Sequence, residues 1–186
     1  MKFLKNIKVN YKSIIIGWVL VLLIVLFDQL TKLYFVKNYE LGESRVFIKG
    51  LINWTFLYND GIAFSWFSGK MRLFAVVSLV AGILMSFGFV YFDLTKKEMI
   101  LYNIALVFIL GGCFGNMIDR FFRPELGVVD FIEPTFVDFA IFNVADSFLT
   151  VGAILLAIHT IFIPEKAKQK PENEIKEEVK EGTIDD

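Results

Sequence analysis

The sequence has little of the material that metal sites and nucleophilic triads require. It contains one cysteine, Cys113, and one histidine, His159, among 186 residues. A single cysteine cannot form an internal disulfide, and cysteine and histidine are too few to cluster around a metal. His159 falls near the far end of an apolar segment, on the opposite membrane side from the acids described below. A zinc site, a Cys-His pair and a Ser-His-Asp triad are therefore excluded, and we expect no metal or other cofactor.

Charge is also absent from long stretches of the chain. Residues 73–92 and 99–118 are two runs of 20 residues without a charged side chain. At about 1.5 Å rise per residue, each run forms a helix ~30 Å long, which matches the hydrocarbon core of a bilayer. Hydrophobic residues make up 56% of the sequence and the mean hydropathy is +0.60. We predict an all-α membrane protein with four transmembrane helices, at about 13–35, 73–92, 99–118 and 143–164.

The other segments divide the chain further. We predict a transmembrane domain over residues 1–164 and a charged, disordered cytoplasmic tail over 165–186, where the apolar periodicity ends. Extracytoplasmic segments are expected at about 36–72 and 119–142. In the first of these, apolar and aromatic runs at 51–58 and 62–67 flank Asn59-Asp60-Gly61, which is typical of a small β-hairpin. Its aromatic side chains either form an interfacial belt or contact substrate.

Lysine and arginine predict the orientation in the membrane. Of the 19 basic residues, 11 fall in the N-terminal segment, at residues 96–97 and in the tail. The positive-inside rule then places both termini in the cytoplasm. The basic, apolar start is similar to a secretory signal, but no small-x-small site closes the apolar run, so we expect a retained anchor.

Carboxylates collect at one membrane face. Asp28 lies at the end of the first predicted span, Asp119 at the end of the third and Asp146 at the start of the fourth. Because the spans alternate in direction, these positions share one face, and ionisable groups at the edge of hydrocarbon indicate a functional site. Asp28 and Lys32 are four residues apart, so an intrahelical ion pair explains them, or they brace the hairpin.

The end of span three is dense in small and polar residues. Gly111 and Gly115 are four residues apart, a spacing that lets helices approach closely. Asn116 and Arg120 are also four apart and share a helix face, with Asp119 beside them. A packing motif with a snorkelling arginine explains these residues, and so does a polar site at the membrane edge.

Three further residues suggest an acid/base pair. Asn143 and Asp146 lie three apart at the start of span four, where either serves as a helix cap and where the helix dipole favours an ionised Asp146. Asp130 has apolar neighbours on both sides, which raises the pKa of a carboxyl group. A charged and a neutral carboxyl suit peptide hydrolysis through an activated water. From the residues alone, Asp138, Asp119 and Asp60 compete with Asp130 as the partner of Asp146.

Five motifs in order resemble the lipoprotein signal peptidases (signal peptidase II), the bacterial membrane aspartic peptidases. The resemblance covers nearly the whole chain. The motifs are Asp28-Gln29-Leu30-Thr31-Lys32, Asn59-Asp60-Gly61-Ile62-Ala63-Phe64, Gly111-Gly112 with Gly115-Asn116-Met117-Ile118-Asp119-Arg120, Val128-Val129-Asp130-Phe131, and Phe142-Asn143-Val144-Ala145-Asp146-Ser147.

The resemblance implies a function and roles for residues. It implies four transmembrane helices with an extracytoplasmic β-cradle, in the cytoplasmic membrane of a bacterium. The expected substrates are prolipoproteins carrying diacylglycerol on a cysteine, cut on the N-terminal side of that cysteine. Membrane lipid is the other expected partner, nucleic acid is not one, and the enzyme is expected to be a monomer. The implied catalytic dyad is Asp130 and Asp146, and the implied substrate-binding or supporting residues are Asn116, Arg120, Asn143, Asn59, Asp28, Lys32, Asp119 and Gly61.

Two other functions compete with a peptidase. A small ion-coupled transporter would favour ionisable residues near mid-span, and spans two and three have none. A non-catalytic membrane scaffold explains each motif singly but not the two acids together with their amide and guanidinium neighbours. The intramembrane proteases with a Gly-x-Gly-Asp motif are disfavoured because that motif does not occur.

Overall fold

Four apolar helices form the body of the molecule. The computed structural model describes residues 9–59 and 71–162. Within these residues, four helical segments are long and apolar enough to cross a membrane, which confirms the predicted fold class. The predicted tail, 165–186, lies outside the described residues. The helices are α1 (Tyr11–Asn38), α2 (Met71–Ser86), α3 (Ile100–Phe122) and α4 (Val144–Phe162), and α2 continues as a 3₁₀ turn over Phe87–Tyr91.

Helix α3 runs past the end of its predicted span. The span was predicted to end at residue 118 because charged residues follow, yet the helix continues to Phe122. The backbone N–H of Arg123 donates to the carbonyl of Asp119 at 2.7 Å, and its guanidinium donates to the Asp119 carboxylate at 2.5 Å. Charge therefore predicted where the apolar run ends but not where the helix ends, because partnered charges continue a helix without penalty.

Helix α3 lies at the centre of the bundle and contacts the other three helices. Two glycines of α3 allow close approaches to α1 and α4. A Cβ at Gly112 would collide with the carbonyl oxygen of Ala145 on α4, and a Cβ at Gly115 would lie 2.8 Å from a carboxylate oxygen of Asp28 on α1. Small residues let helix backbones approach closely in a membrane. The glycine motif therefore brings polar groups of α1, α3 and α4 together at one end of the bundle.

A three-stranded antiparallel sheet covers that end. Its strands are β1 (Ser44–Ile48), β2 (Ile52–Asn59) and β3 (Val128–Pro134), in the order β1-β2-β3. The observed hairpin is β1-β2, which turns at residues 49–51 and precedes the predicted turn at 59–61. Strand β2 matches the first predicted run, whereas the turn residues Asp60 and Gly61 and the second run, 62–67, lie outside the described residues. Strand β1 begins with Ser44 and Arg45 and continues with three apolar residues, so its sequence lacks the apolar alternation that predicts a strand.

Aromatic packing fixes the sheet to the end of α1. The rings of Phe35 and Phe131 stack with centroids 4.1 Å apart, and Phe56 and Val129 complete a buried cluster. Successive side chains of a strand point to opposite faces. Since Val129 and Phe131 face this cluster, Asp130 between them points to the other face of β3. That face carries the polar side chains described next.

The opposite end of the bundle is closed by a short polar connection. The Asp93 carboxylate accepts hydrogen bonds from Asn10 at 2.9 Å and from the Thr95 hydroxyl at 2.7 Å, and the bonds from Thr95 lower the pKa of Asp93. Asn103 on α3 donates to the Asp93 carbonyl at 2.8 Å. These contacts connect the starts of α1 and α3 to the end of the α2 segment.

Candidate active site

The polar site is built at the start of α4, where a capping box orders the first turn. The Asn143 side-chain oxygen accepts from the Asp146 backbone N–H at 3.0 Å, and the Asp146 carboxylate accepts from the Asn143 backbone N–H at 3.1 Å. Such reciprocal bonds satisfy two N–H groups that a helix start otherwise leaves unpaired. A helix cap needs only one such side chain. The structure uses both, and the box fixes the Asp146 side chain in one position.

Asn143 also connects the two candidate catalytic acids. Its side-chain N–H₂ donates to Asp130 Oδ1 at 2.6 Å, while its oxygen is bound to the Asp146 backbone. From β2, the Asn59 side chain donates to Asp130 Oδ2 at 2.8 Å. Each oxygen of Asp130 therefore has a donor, and the cap residue of α4 sets the position of Asp130 relative to Asp146.

Burial dominates the electrostatics of Asp130, which is only 1% exposed. Burial, followed by the nearby charge of Asp146, raises the pKa of Asp130 to about 7, against the lowering effects of its bonds from Asn59 and Asn143 and of the Lys32 charge. Loss of hydration disfavours the ionised form of a carboxyl group. Asp130 therefore holds a proton near neutral pH that an exposed aspartate would have lost.

Asn116 on α3 binds the second acid. Its side-chain N–H₂ donates to Asp146 Oδ1 at 2.7 Å. Its oxygen accepts from the Lys32 ammonium at 2.8 Å and from Asn143 at 3.0 Å. Asn116 is thus a bridge between α1 and the first turn of α4.

Lys32 is the centre of a buried charge cluster, which we define as Lys32, Asp28, Asp119 and Arg123. The ammonium lies 2.8 Å from Asp28 and 2.8 Å from Asp119, and all three side chains are fully buried. Arg123 contacts the other oxygen of Asp119 at 2.5 Å. Two cations and two carboxylates make the cluster neutral, which meets the condition under which charges are buried at acceptable cost. The predicted pair of Asp28 and Lys32 is therefore one part of a larger network that joins α1 to the end of α3.

Asp28 extends this cluster to α4. Its Oδ1 accepts from the backbone N–H of Ala145 at 2.9 Å. Ala145 lies in the first turn of α4, where free N–H groups carry a partial positive charge that a carboxylate stabilises. Asp28 therefore supports the start of α4. Among the described residues, no hydrogen bond joins the Asp28 side chain to β1, β2 or β3.

Both candidate acids open onto one cavity of about 490 Å³. Its polar end is formed by Asp130, Asp146 and Asn59, and an apolar wall continues along the loop before α4 and down α4 itself. A pocket with a few convergent polar groups and an apolar wall is typical of a substrate site. The apolar wall comprises Phe139, Ala140, Ile141, Phe142 and Val151, with Ser147 and Thr150 beside it.

Other predicted residues bind partners other than the two acids, although the Arg120 guanidinium lies within range of the charges of Asp146 and Asp130. The Arg120 guanidinium donates to the Ser78 hydroxyl of α2 at 3.2 Å. Asp119 belongs to the charge cluster and Asp138 is exposed on a loop, so neither takes the place of Asp130 beside Asp146. Gly61 and the competing acid Asp60 lie outside the described residues.

The residues that carry metal or nucleophile chemistry elsewhere are not assembled here. Cys113 donates to the Ser78 carbonyl at 3.2 Å, and the His159 ring packs on Tyr102. Across residues 9–59 and 71–162, no group of three or more His, Cys, Asp or Glu side chains is arranged to hold a metal ion.

Three features of the site were not predicted from the sequence. The first is the ion pair of Arg123 with Asp119, although a spacing of four residues is typical of such pairs. The apolar wall around Phe139 and Val151 has no signal in the sequence, because it joins a loop to a helix face only after folding. The backbone donor of Ala145 is likewise visible only in the structure.

The comparisons with known proteins agree with one another. The family model described as signal peptidase (SPase) II matches residues 20–162. The chain is 41% identical over 145 residues to a lipoprotein signal peptidase of Lactobacillus johnsonii, covering 78% of this chain and 91% of that one. It is 37% identical over 163 residues to one of Enterococcus faecalis, covering 87% and 97%. A solved bacterial membrane enzyme, determined by the in meso method at 1.9 Å resolution, superposes with a TM-score of 0.69 at 32% identity, covering 80% of this chain and 94% of that chain.

The matched region includes most of α1, the other three helices, the sheet and both candidate acids. A family model that spans residues 20–162 leaves out residues 1–19 and 163–186. The chain therefore belongs to the signal peptidase II family, the aspartic peptidases of bacterial membranes that remove signal peptides from prolipoproteins.

Proposed function

We propose that Asp130 and Asp146 are the catalytic dyad and that the chain cleaves diacylglyceryl-modified prolipoproteins on the N-terminal side of the lipidated cysteine. The observation that carries this proposal is the bridge through Asn143, which binds both acids where they meet one cavity. Amide donors hold each carboxyl group and leave the cavity side open to a water and a peptide carbonyl. The aspartic mechanism of the family requires two carboxyl groups in this relation.

The environment of each acid supports a role for it in the first step of hydrolysis. Asp130 carries the proton, because burial raises its pKa to about 7. Asp146 is its partner, because the carboxylate accepts from the Asn116 side chain of α3 and from the Asn143 backbone N–H at the start of α4. Asp146 is therefore the base and Asp130 the acid at the start of the reaction.

Hydrolysis then proceeds without a covalent intermediate. Asp146 accepts a proton from water as the water oxygen bonds to the scissile carbonyl carbon, and Asp130 donates its proton to the carbonyl oxygen. The resulting gem-diol collapses when Asp146 gives its proton to the departing amine and the C–N bond breaks. Asp130 recovers a proton from one of the two hydroxyl groups, so the new carboxylic acid and the amine leave with the dyad in its starting state.

The cavity suits a substrate that stays in the bilayer. Its wall runs from the dyad to Thr150 and Val151, about one turn further along α4. Diacylglyceryl chains that remain among lipid fix the scissile bond at the depth of Asp146, and remote binding of this kind positions a reacting group. We propose that this end of the bundle faces outward and that both termini are cytoplasmic, as the distribution of lysines favours.

Cleavage of a diacylglyceryl-modified prolipoprotein by purified protein tests the dyad. We expect Asp130→Asn and Asp146→Asn each to lower kcat by about 10³-fold or more, since each removes an acid or base. Asp138→Asn is the matched control, because it removes an exposed acid from the segment between β3 and α4. Retained cleavage by either dyad variant, at wild-type thermal stability, would reassign the chemistry. Inactivity of the wild type on this substrate would contradict the proposed substrate.

A further inference from the structure

We infer that Lys32 is a positioning residue, which acts on Asp146 by fixing the orientation of the Asn116 side-chain amide. The inference rests on the proposed function of Asp146. The resemblance to the family implies that Lys32 is a supporting residue but does not define its role. The contacts around Asn116 supply that role.

The amide of Asn116 has two faces with opposite requirements. On one side are two donors, the Lys32 ammonium at 2.8 Å and the Asn143 N–H₂ at 3.0 Å. On the other side is an acceptor, Asp146 Oδ1, at 2.7 Å. A rotation of the amide by 180° would set its N–H₂ against the ammonium and its oxygen against the carboxylate. The observed orientation is therefore the one in which every group finds a complementary partner.

Lys32 makes the stronger of the two contacts to the amide oxygen of Asn116. Its bond is charge-assisted, and such bonds are roughly twice as strong as neutral ones like that from Asn143. The ammonium cannot turn away, because Asp28 and Asp119 each hold it in an ion pair at 2.8 Å. Without Lys32, the amide oxygen keeps only the neutral bond from Asn143, and the bond to Asp146 is the one charge-assisted contact left on the amide. The N–H₂ that binds Asp146 is then held in its direction less firmly.

Two charge-balanced variants separate this role from simple support of the fold. Lys32→Met with Asp119→Asn and Arg123→Met with Asp119→Asn each remove one cation and one carboxylate from the neutral cluster. The first leaves Arg123 and Asp28, and the second leaves Lys32 and Asp28, so both remain neutral. Only the first removes the contact to Asn116. Thermal unfolding in detergent shows whether the two variants fold comparably.

We expect the Lys32 variant to have a kcat about 30-fold to 100-fold below that of the Arg123 variant, as misplacing a reacting group does. KM should differ by less than about 3-fold, because substrate binding is not the property lost. The comparison is then repeated with Asn116→Ala added to both variants. If Lys32 acts through Asn116, the difference in kcat collapses to about 1-fold in that background.

Two results would overturn the inference. Equal kcat values for the two variants would mean that Lys32 contributes charge balance only. A difference that persists with Asn116→Ala would mean that Lys32 acts by another route, such as the contact of Asp28 with Ala145. If the methionine variant does not fold, Lys32→Gln replaces it, because glutamine restores one neutral donor and should give a smaller difference that collapses in the same way. Failure of the wild type to cleave the substrate would contradict the proposed function itself, and it is distinguished from the two results above because it appears before any variant is compared.

Discussion

Asn143 combines a structural and a chemical task in one side chain. Its oxygen caps α4 and its N–H₂ holds Asp130. Asparagine can do both because its amide carries an acceptor and a donor on the same plane. Aspartate would cap the helix equally well but would present an acceptor to Asp130. The choice of asparagine over aspartate at this cap is therefore explained by the acid that it faces.

The raised pKa of Asp130 predicts how cleavage depends on pH. Because Asp130 must be protonated to act as the first acid, kcat/KM should fall as the pH rises through about 7. The Asn59 bond favours the ionised carboxylate, so its removal raises the pKa of Asp130 further. We expect Asn59→Ala to move the alkaline limb of the profile to higher pH.

The measurement is kcat/KM against pH for wild type and Asn59→Ala, with the profile read as a property of the dyad as a whole. Asp138→Asn is again the control, because its exposed carboxylate should leave the limb in place. A limb that moves to lower pH in Asn59→Ala would contradict the protonated state assigned to Asp130.

At the scale of elements, three sets of contacts fix the start of α4. The capping box orders Asn143 and Asp146, Asp28 of α1 accepts from Ala145, and Gly112 of α3 admits the α4 backbone. A helix start exposes N–H groups that need partners, and in a membrane few are available from water. The partners supplied here are the same residues that assemble the site. Correct packing of α1, α3 and α4 is thus a condition for the geometry of the dyad.

Gly115→Ala tests this coupling between packing and catalysis. The added Cβ would lie 2.8 Å from Asp28 Oδ2 and 3.1 Å from the Cβ of Ala145. We expect α1 and α4 to separate slightly, with a loss of about 1–3 kcal/mol of stability and a clear fall in kcat. Thermal unfolding and cleavage rate are measured on the same preparation.

Gly82→Ala provides the comparison. Its Cβ would meet the ring of Phe114, at a contact of α2 with α3 that involves no member of the site. We expect a loss of stability of the same kind without a comparable fall in kcat. An equal fall in kcat for both variants would mean that catalysis depends on bundle stability in general and not on the position of α4.

The whole molecule consists of a polar end under the sheet and an apolar body formed by the helices. Side chains from α1, α3, α4, β2 and β3 meet under the sheet, and the helices below them expose apolar residues that suit lipid. A soluble protein would hide those residues, whereas a bilayer solvates them. The proposed substrate suits the same division, since its peptide bond would meet the polar end while its acyl chains would stay among lipid.

This arrangement predicts a requirement for the lipid on the substrate. A prolipoprotein with an unmodified cysteine lacks the acyl chains that hold the scissile bond at the depth of Asp146. We expect its kcat/KM to be lower by about 100-fold or more, because binding energy remote from the reacting bond is lost. Matched substrates that differ only in diacylglycerol, in the same detergent or nanodisc, give the comparison. Equal rates on both forms would contradict this account of the cavity.

Most of the fold was predictable because its signal is local. A charge-free run of 20 residues marks a transmembrane helix by length and composition alone. The bounds were less predictable, as α3 shows, because Asp119 and Arg123 continue the helix by pairing with each other. Strand β1 was missed since its charged and polar residues do not alternate with apolar ones, and its partner β2 determines it.

The sequence by itself determined which side chains were available and that the acids at the span borders share one membrane face. Asp28, Asp119 and Asp146 share one face in any four-span arrangement, and apolar neighbours of Asp130 already indicate a raised pKa. Only the tertiary structure decided the partners. Asp130 and Asp146 come together through Asn143, Asp119 is taken by Lys32 and Arg123, and Asp138 remains on the surface. The physical reason is that a hydrogen bond depends on distances of about 3 Å between elements far apart in the chain, and helix and strand periodicity do not encode such distances.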